Sequence, residues 1–203
     1  MMKKYIILIA MLVVSVAGAS AQERQDNNEG NRWNFGARAG VNFANDKDFN
    51  PTSNVGFGLE LLSDCHLKNR LYFRTGLGFR QYKMSWKSMY ADYLGNGSTC
   101  ENVSNTVYLP LRLAWKLPLS ANLNLDLETG TYLSYGVGGK SVDGAGAKHD
   151  TFESGFKNRY NLGLECGAGV SVKNFYFGVS GTLNMCNNAP GYVGAVKFGY
   201  TFK

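Results

Sequence analysis

The chain has 203 residues, enough for one domain, and a formal net charge of +6. Its cations are spread singly along the sequence and do not cluster with aromatic residues, which argues against a nucleic-acid-binding protein. After the first 21 residues no apolar run is long enough for a membrane-spanning helix, so a membrane protein of this sequence would have to cross with strands.

The N-terminal segment, residues 1–21, has the pattern of a secretory signal peptide. Two lysines precede an apolar run, and the segment ends in ASA, an A-x-A cleavage pattern. A retained membrane helix would need about 20 consecutive apolar residues and no cleavage pattern. Residues 22–31 are polar and without periodicity, which predicts a flexible lead-in, and residues 32–203 form the predicted folded domain.

Apolar residues alternate with small or polar ones in the first part of this domain, which predicts three strands. The strands cover residues 33–43, 54–62 and 71–82, separated by a loop at 44–53 and a turn at 63–69.

The alternation breaks after Tyr82, where Met84 and Trp86 fall on the other face. Either a bulge shifts the register there, or the strand has left the membrane. The polar segment that follows, 83–105, is predicted to be a long loop.

Residues 106–135 contain the most regular alternation, and they predict a hairpin around a PLSA turn. If the apolar positions share one face across the turn, Arg112 lies opposite Glu128, with Asp126 as its diagonal neighbour. Pro110 cannot donate to the strand ladder, so it should mark a bulge or a bend.

A second long loop is predicted at 136–158, and three more strands at 160–172, 175–185 and 192–202. The total is eight strands, and the connections after the second, fourth and sixth are short, while the long ones lie among the others. This is the pattern of transmembrane barrels, in which short connections and both termini lie in the periplasm.

The two faces of these strands differ in composition. One carries leucine, valine and aromatic residues, and the other carries glycine, small residues, asparagine, tyrosine and a few charges of both signs. The second set is typical of the narrow inside of a small closed barrel, where glycine makes room and opposite charges pair. The apolar face is therefore predicted to contact lipid. Eleven residues at about 3.3 Å each, tilted by about 45°, span roughly 25 Å, which matches a membrane strand. The predicted fold is all-β, an eight-stranded antiparallel up-and-down transmembrane β-barrel.

Four segments resemble porin-family or PorT-like outer-membrane β-barrel proteins, and in size the chain is similar to OmpA- and OmpX-type barrels. The segments are FGARAGVNF, VGFGLELL, RLYFRTGLGFRQYK and VYLPLRLAWKL. The resemblance implies a barrel in the outer membrane of a Gram-negative cell envelope. It implies no catalytic activity, because the family shares no catalytic signature.

Ten charged residues fall on the predicted inner face: Arg38, Glu60, Arg74, Arg80, Arg112, Lys116, Asp126, Glu128, Glu165 and Lys197. In a closed eight-stranded barrel they would form a buried ion network that plugs the lumen, because the interior is wide enough only for side chains. The alternative is a gate, in which a rearranged arginine–glutamate pair opens a small conductive path. Analogy with the fold favours the plug.

A hydrolytic site is the second hypothesis. His149 lies in the second long loop near Asp143, Asp150, Glu153 and Ser154, and a general base beside carboxylates is what nucleophilic catalysis needs. No sequence motif supports it, and glycine-rich loops with scattered charges are common, so the enzyme is the less favoured interpretation.

The four cysteines are bound for an oxidising compartment, where disulfides form. The topology puts Cys65 in a periplasmic turn and Cys166 on the lipid face, and only Cys100 and Cys186 share the extracellular side. A disulfide between these two and four unpaired thiols are equally compatible with the sequence. No metal-ligand spacing is present, and no cofactor is predicted.

The sequence therefore predicts a non-enzymatic integral outer-membrane barrel with an envelope-structural, adhesion or scaffolding role. Its predicted partners are outer-membrane lipid and other envelope or extracellular proteins, contacted through loops 83–105 and 136–158, and no nucleic acid. The alternative functions are a narrow porin-like channel for ions or small solutes and, less favoured, a membrane-embedded hydrolase.

Overall fold

A computed structural model describes residues 33–45, 55–87, 99–143, 145–152, 159–185 and 191–202. The strands are β1 Trp33–Asn45, β2 Val55–Lys68, β3 Leu71–Lys87, β4 Thr99–Ser120, β5 Leu123–Val142, β6 Lys148–Asp150, β7 Tyr160–Val172, β8 Phe175–Asn184 and β9 Tyr192–Phe202. Within these described ranges, no helix is long and apolar enough to cross a membrane.

The sheet closes on itself because β1 pairs with β2 on one side and with β9 on the other. Eight strands form the ring in the order β1-β2-β3-β4-β5-β7-β8-β9, and every pairing is antiparallel. The short strand β6 pairs with the end of β5 outside this ring. The predicted eight-stranded antiparallel barrel is confirmed.

The predicted assignment of the two faces is also confirmed. Leu59 and Leu61 in β2 are 53% and 63% exposed on the outside of the ring. Arg112 and Glu128, which alternate with apolar neighbours in β4 and β5, are 1% and 4% exposed inside it. The apolar side chains therefore form an outer band, and the charged ones are enclosed.

The outer band has a sharp limit at one end of the barrel. Up to Phe79 the outward side chains of β3 are apolar or small, but the next outward residue, Gln81, donates a 3.0 Å hydrogen bond to Asn105 of β4. Beyond that pair, Lys83 and Glu101 form a half-exposed ion pair at 3.0 Å. The outer face thus changes from apolar to charged at this level, as expected where strands leave the hydrocarbon.

The strands continue past this limit into both predicted long loops, so the predicted bounds of the loops at 83–105 and 136–158 are wrong. Residues 81–87, 99–105, 136–142 and 148–150 are all strand, and we call them the projecting sheet. The ladder persists because each strand has a partner there, which satisfies backbone hydrogen bonds that a loop would leave to water.

The break in the apolar alternation after Tyr82 is not caused by a bulge in β3. The register of β3 and β4 is continuous from Tyr82–Ser104 to Met84–Asn102, and Met84 is 4% exposed on the enclosed face. An apolar residue is enclosed here because the lumen itself becomes apolar at this level.

The turn predicted at 63–69 is wrong, because β2 continues to Lys68 and the turn is Asn69–Arg70. Asn69 has a positive φ of 55°, a conformation that asparagine tolerates better than most residues. The polar side chains that suggested a turn include Asp64, which lies on the enclosed face, where cations are available to it.

The predicted register of the central hairpin is wrong by two residues. Arg112 lies opposite Gly130, and Glu128 lies opposite Ala114, because the turn consists of only Ala121 and Asn122 and the register shifts by one residue between Ser120 and Pro118. A shift of two keeps every side chain on its face, which is why the alternation could not detect it.

Pro110 marks no register shift, so of the predicted bulge or bend, the bulge is wrong. The pairing of β3 with β4 stops after Thr75–Leu111 and resumes at Gly78–Tyr108 in the same register. The ladder tolerates the missing donor by this local gap.

Three two-residue turns, at 69–70, 121–122 and 173–174, lie at the end of the barrel where β1 begins and β9 ends. We call it the tight-turn end and the opposite one the loop end. The predicted alternation of short and long connections is confirmed.

Candidate functional site

The enclosed face brings together all ten predicted charged residues and one more, Asp64. We call these eleven side chains the lumen network: the cations Arg38, Arg74, Arg80, Arg112, Lys116 and Lys197, and the carboxylates Glu60, Asp64, Asp126, Glu128 and Glu165. Ten of them are buried, and the side chain of Lys116 is 22% exposed. Alternation along the strands places them inside, and ring closure brings residues from distant strands into contact.

The centre of the lumen network is a closed circuit of four residues. Arg112 binds Glu60 at 2.7 Å (Nη2 to Oε1) and Glu165 at 3.0 Å (Nη2 to Oε2). The Lys197 ammonium lies 3.1 Å from Glu60 Oε1 and 2.6 Å from Glu165 Oε1. Each cation touches both carboxylates, so the four charges compensate one another.

A second cluster lies closer to the tight-turn end. Glu128 accepts hydrogen bonds from Arg38 at 3.0 and 3.1 Å and from Arg74 at 2.5 Å. Arg74 also donates two hydrogen bonds to Asp64, at 2.6 and 2.7 Å, and Lys116 donates one at 2.8 Å. The two hydrogen bonds between Arg74 and Asp64 form a bidentate ion pair, which is the strong form of the arginine–carboxylate interaction.

Arg112 joins the two clusters, because its Nη1 lies 3.8 Å from Glu128 Oε1. Arg80 extends the network toward the loop end, with Nη2 3.6 Å from Glu165 Oε2. The network therefore crosses the lumen without a break between Arg80 and Lys116.

Tyrosines complete the packing around the charges. The Tyr108 hydroxyl donates to Glu60, and the Arg80 guanidinium lies 4.2 Å from the centre of the Tyr108 ring. The Arg38 guanidinium lies 3.6 Å from the centre of the Tyr176 ring, within the range of a cation–π contact. The guanidinium faces thus contact rings, while their edges bind carboxylates.

Glycine provides the space that these rings occupy. A Cβ on Gly78 would lie 2.3 Å from the Tyr108 ring, and one on Gly163 would lie 2.4 Å from the Tyr132 ring. The many glycines on the inner face are therefore a packing requirement of the narrow lumen.

An apolar layer closes the lumen network on the side of the loop end. Ala44, Tyr82, Met84 and Val193 are all buried and contact one another there. Along its axis, the lumen therefore passes from an apolar layer to the charged clusters and then to polar residues at the tight-turn end.

Asp64 is the network residue that sequence reasoning missed. The predicted turn at 63–69 removed it from consideration, although it continues the two-residue spacing of Glu60 and Leu62. Asp126 is among the predicted residues, but no ion pair with Arg112 forms. It accepts a hydrogen bond from Ser171.

The hydrolytic hypothesis is only partly covered by the described residues. His149 Nε2 lies 3.4 Å from Asp143 Oδ2, and both side chains are about half exposed. Hydrogen bonds from the backbone amides of Ala147 and Ala145 lower the pKa of Asp143 below its usual value. Glu153 and Ser154 lie outside the described residues, so their predicted proximity to His149 stays a prediction.

The predicted disulfide also involves a residue outside the described ranges. Cys100 lies at the start of β4, and Cys186 lies outside the described residues, so their disulfide stays a prediction. Cys65 lies within β2 and not in a turn, and Cys166 is exposed on the outer face of β7, as predicted. Across the described parts of the chain, no group of three or more metal-binding side chains occurs.

Comparison with known proteins gives a family and several structural relatives. Residues 20–187 match the family described as outer membrane protein beta-barrel domain. Neisserial surface protein A has a TM-score of 0.49 and 16% identity, over 84% of this chain and 96% of that one. Ail of Yersinia pestis, solved with a heparin analogue, has a TM-score of 0.45 and 13% identity, over 84% and 97%. The outer membrane enzyme PagL has a TM-score of 0.42 and 11% identity, over 83% and 99%.

A search of curated protein sequences gives no match. The family match covers most of the chain and agrees with the closed ring, the apolar outer band and the enclosed charges described above. The chain therefore belongs to the outer membrane protein beta-barrel domain family.

Proposed function

We propose that the protein is a non-enzymatic structural barrel of the outer membrane, with a lumen plugged by charge and a projecting sheet that contacts envelope or extracellular proteins. The observation that carries this proposal is the circuit of Arg112, Glu60, Glu165 and Lys197, which fills the lumen at mid-height.

The size of the internal cavities supports a plug. The lumen has a cavity of about 30 Å³ on the tight-turn side of the circuit and one of about 10 Å³ beside Arg80 and Tyr108. A cavity needs roughly 10–15 Å³ to hold a single water molecule. The two cavities therefore hold at most a few isolated waters, which is too few for a continuous aqueous path.

A narrow channel is the alternative function, and Asp126 favours it. This buried carboxylate has one oxygen without a hydrogen-bond partner among the described residues. An arginine or lysine side chain of the network could therefore move to it. A channel would require Arg112 to leave Glu60 and Glu165 together, or a path around it.

Conductance of the refolded protein in a planar lipid bilayer tests the plug. We expect no stepwise currents from the wild-type protein. Stepwise currents that disappear or change in amplitude in Arg112→Met or Glu128→Gln would overturn the plug and support the channel. Each variant must first run as a folded barrel, faster unboiled than boiled on a gel.

The projecting sheet supports the proposed contact role, because its outer face lies beyond the apolar band and carries charges of both signs. Lys83 pairs with Glu101 there, and Lys140 lies opposite Asp150. A photo-crosslinking amino acid at Lys140 should capture envelope or extracellular proteins in intact cells. The same group at Asn122, in a tight turn at the other end, is the control, and equal capture profiles would contradict the proposal.

We also propose that the tight-turn end and both termini face the periplasm, as short connections do in this class of barrel. In intact cells, an impermeant maleimide should label Lys140→Cys and leave Asn122→Cys unlabelled until the outer membrane is permeabilised. The reverse result would invert the orientation.

The enzymatic alternative is tested directly. We expect no product when the refolded protein is incubated with lipopolysaccharide or with peptides. Turnover that is lost in His149→Ala would overturn the non-enzymatic assignment, and Lys148→Ala, in the same strand, is the matched control.

A further inference from the structure

The cavity of about 30 Å³ lies between the second charged cluster and the tight-turn end of the lumen. Its walls include Arg38, Lys116, Asp126, Ser171 and Tyr176. Lys116 is the member of the lumen network with a partly exposed side chain, so this end of the network is the one nearest to solvent.

Two buried groups that face this cavity have unused hydrogen-bonding capacity. Asp126 is 2% exposed, and its Oδ2 accepts from Ser171, but its Oδ1 has no partner among the described residues. The Tyr176 hydroxyl is likewise buried without a partner in the described part of the chain. Unpaired buried polar atoms are costly, and a carboxylate more than most, so an occupant that can donate hydrogen bonds is required.

Lys116 does not fill this need, although it lies directly opposite Asp126 in the ladder between β4 and β5. Its ammonium binds Asp64 at 2.8 Å, and Asp64 already receives two hydrogen bonds from Arg74. Asp64 therefore has an excess of donors, while Asp126 has one.

The charges decide what kind of occupant fits. The lumen network has six cations and five carboxylates, a formal excess of one positive charge. This excess stabilises a negative charge on Asp126 and opposes a further cation in a cavity already lined by Arg38 and Lys116. The occupant that fits is therefore a neutral hydrogen-bond donor. The cavity volume corresponds to about two water molecules.

We propose that this cavity is a hydrated site, in which about two waters donate to Asp126 and accept from Tyr176 and Lys116. The site makes the tight-turn end the wet end of the lumen. The central circuit at Arg112 and the apolar layer at Met84 separate this site from the loop end. The proposal rests on the plug of the proposed function and adds that water reaches the plug from one side.

Thiol accessibility tests the site in the refolded full-length mature chain, with its four native cysteines replaced by alanine. Ser171→Cys places a thiol beside Asp126, and Thr182→Cys places one on the buried inner face of β8 beside Arg80, on the loop-end side of the central circuit. We expect a small methanethiosulfonate reagent to modify Ser171→Cys at least 100-fold faster than Thr182→Cys. If Ser171→Cys does not fold, Thr201→Cys, which lines the same cavity, replaces it.

The outcomes separate the two proposals. If both thiols react slowly, the cavity is closed to water and the hydrated site is wrong, while the plug stands. If both react fast, water passes the central circuit and the plug itself fails.

A second comparison tests the charge of Asp126. For Ser171→Cys, the ratio of rates with the ethylammonium and ethylsulfonate reagents should fall about tenfold when Asp126→Asn is added, since one nearby charge is removed. The matched control is Glu101→Gln, which removes one carboxylate in the projecting sheet, away from the cavity, and should leave the ratio unchanged. An unchanged ratio in Asp126→Asn would overturn the proposed charged, hydrated carboxylate.

Discussion

Arg112 lies between three carboxylates, Glu60, Glu128 and Glu165, in the middle of the lumen. The net value of such buried pairs is small, because desolvation offsets the Coulomb attraction. The loss of one partner strongly lowers the stability of the fold, since it leaves buried charges without compensation. The network is therefore most sensitive to the replacement of a single partner.

Replacement of Arg112 by methionine should lower the free energy of unfolding by about 3–5 kcal/mol, because Glu60 and Glu165 lose a shared partner in a buried site. Urea titration of the protein folded in lipid vesicles measures this. The control is Lys83→Met, which removes an ion pair whose two side chains are about 40% exposed. It should cost at most about 1 kcal/mol, and equal losses would contradict a buried network.

Asp143 gives the connection between β5 and β6 a pH dependence. The amides of Ala147 and Ala145 lower the pKa of its carboxyl, so the stabilisation is present above the usual aspartate pKa of about 3.9 and is lost as the pH falls through the lower folded value. Amide NMR shifts of Ala145 and Ala147 should therefore titrate at a pH below 3.9. Titration at or above that value would contradict the hydrogen bonds.

At the scale of the strands, glycine positions show where the backbones of β4 and β5 approach closely. A Cβ on Gly130 would lie 2.2 Å from the Leu111 carbonyl oxygen and 2.6 Å from the Arg112 Cα. Both contacts are with backbone, which cannot rotate away. Gly194 in β9 has no neighbour within 4 Å of such a Cβ.

We therefore expect Gly130→Ala to destabilise the barrel by about 1–3 kcal/mol through displacement of the β4–β5 ladder. Gly194→Ala should stay within about 0.5 kcal/mol of the wild type. Urea titration in vesicles, with folding checked by the gel shift between unboiled and boiled samples, measures both. Similar stability of the two variants would show that the close approach at Gly130 is relaxed in the membrane.

At the scale of the whole molecule, the apolar band and the projecting sheet divide the outer surface into a lipid part and an aqueous part. Leu61 lies within the band, and Val142 lies in the projecting sheet opposite Glu101. The two positions are both on strands and both outward, so they differ mainly in the solvent that they meet.

Leu61→Arg should cost about 2–4 kcal/mol if the position is near the middle of the bilayer. Val142→Arg should cost no more than about 0.5 kcal/mol, because the new charge meets water and lies between Glu101 of β4 and Lys148 of β6, whose effects oppose each other. The comparison is made by urea titration of both variants in the same vesicles. Equal costs would show that the band does not contact hydrocarbon.

Two-residue alternation correctly placed Arg112, Glu128 and the other enclosed charges, because the face of a side chain depends only on its parity along the strand. The register between β4 and β5 was wrong by two residues, and Asp64 was missed, because a shift of two or an extension of a strand leaves the parity unchanged.

The sequence by itself determined the number of strands in the ring, the antiparallel barrel and the face that meets lipid, since these depend on composition and local spacing. Only the tertiary structure decided which guanidinium binds which carboxylate. Arg38 and Glu128 are 90 positions apart and come from β1 and β5. They meet because the closed ring brings their strands face to face across the lumen, a contact that no local pattern encodes.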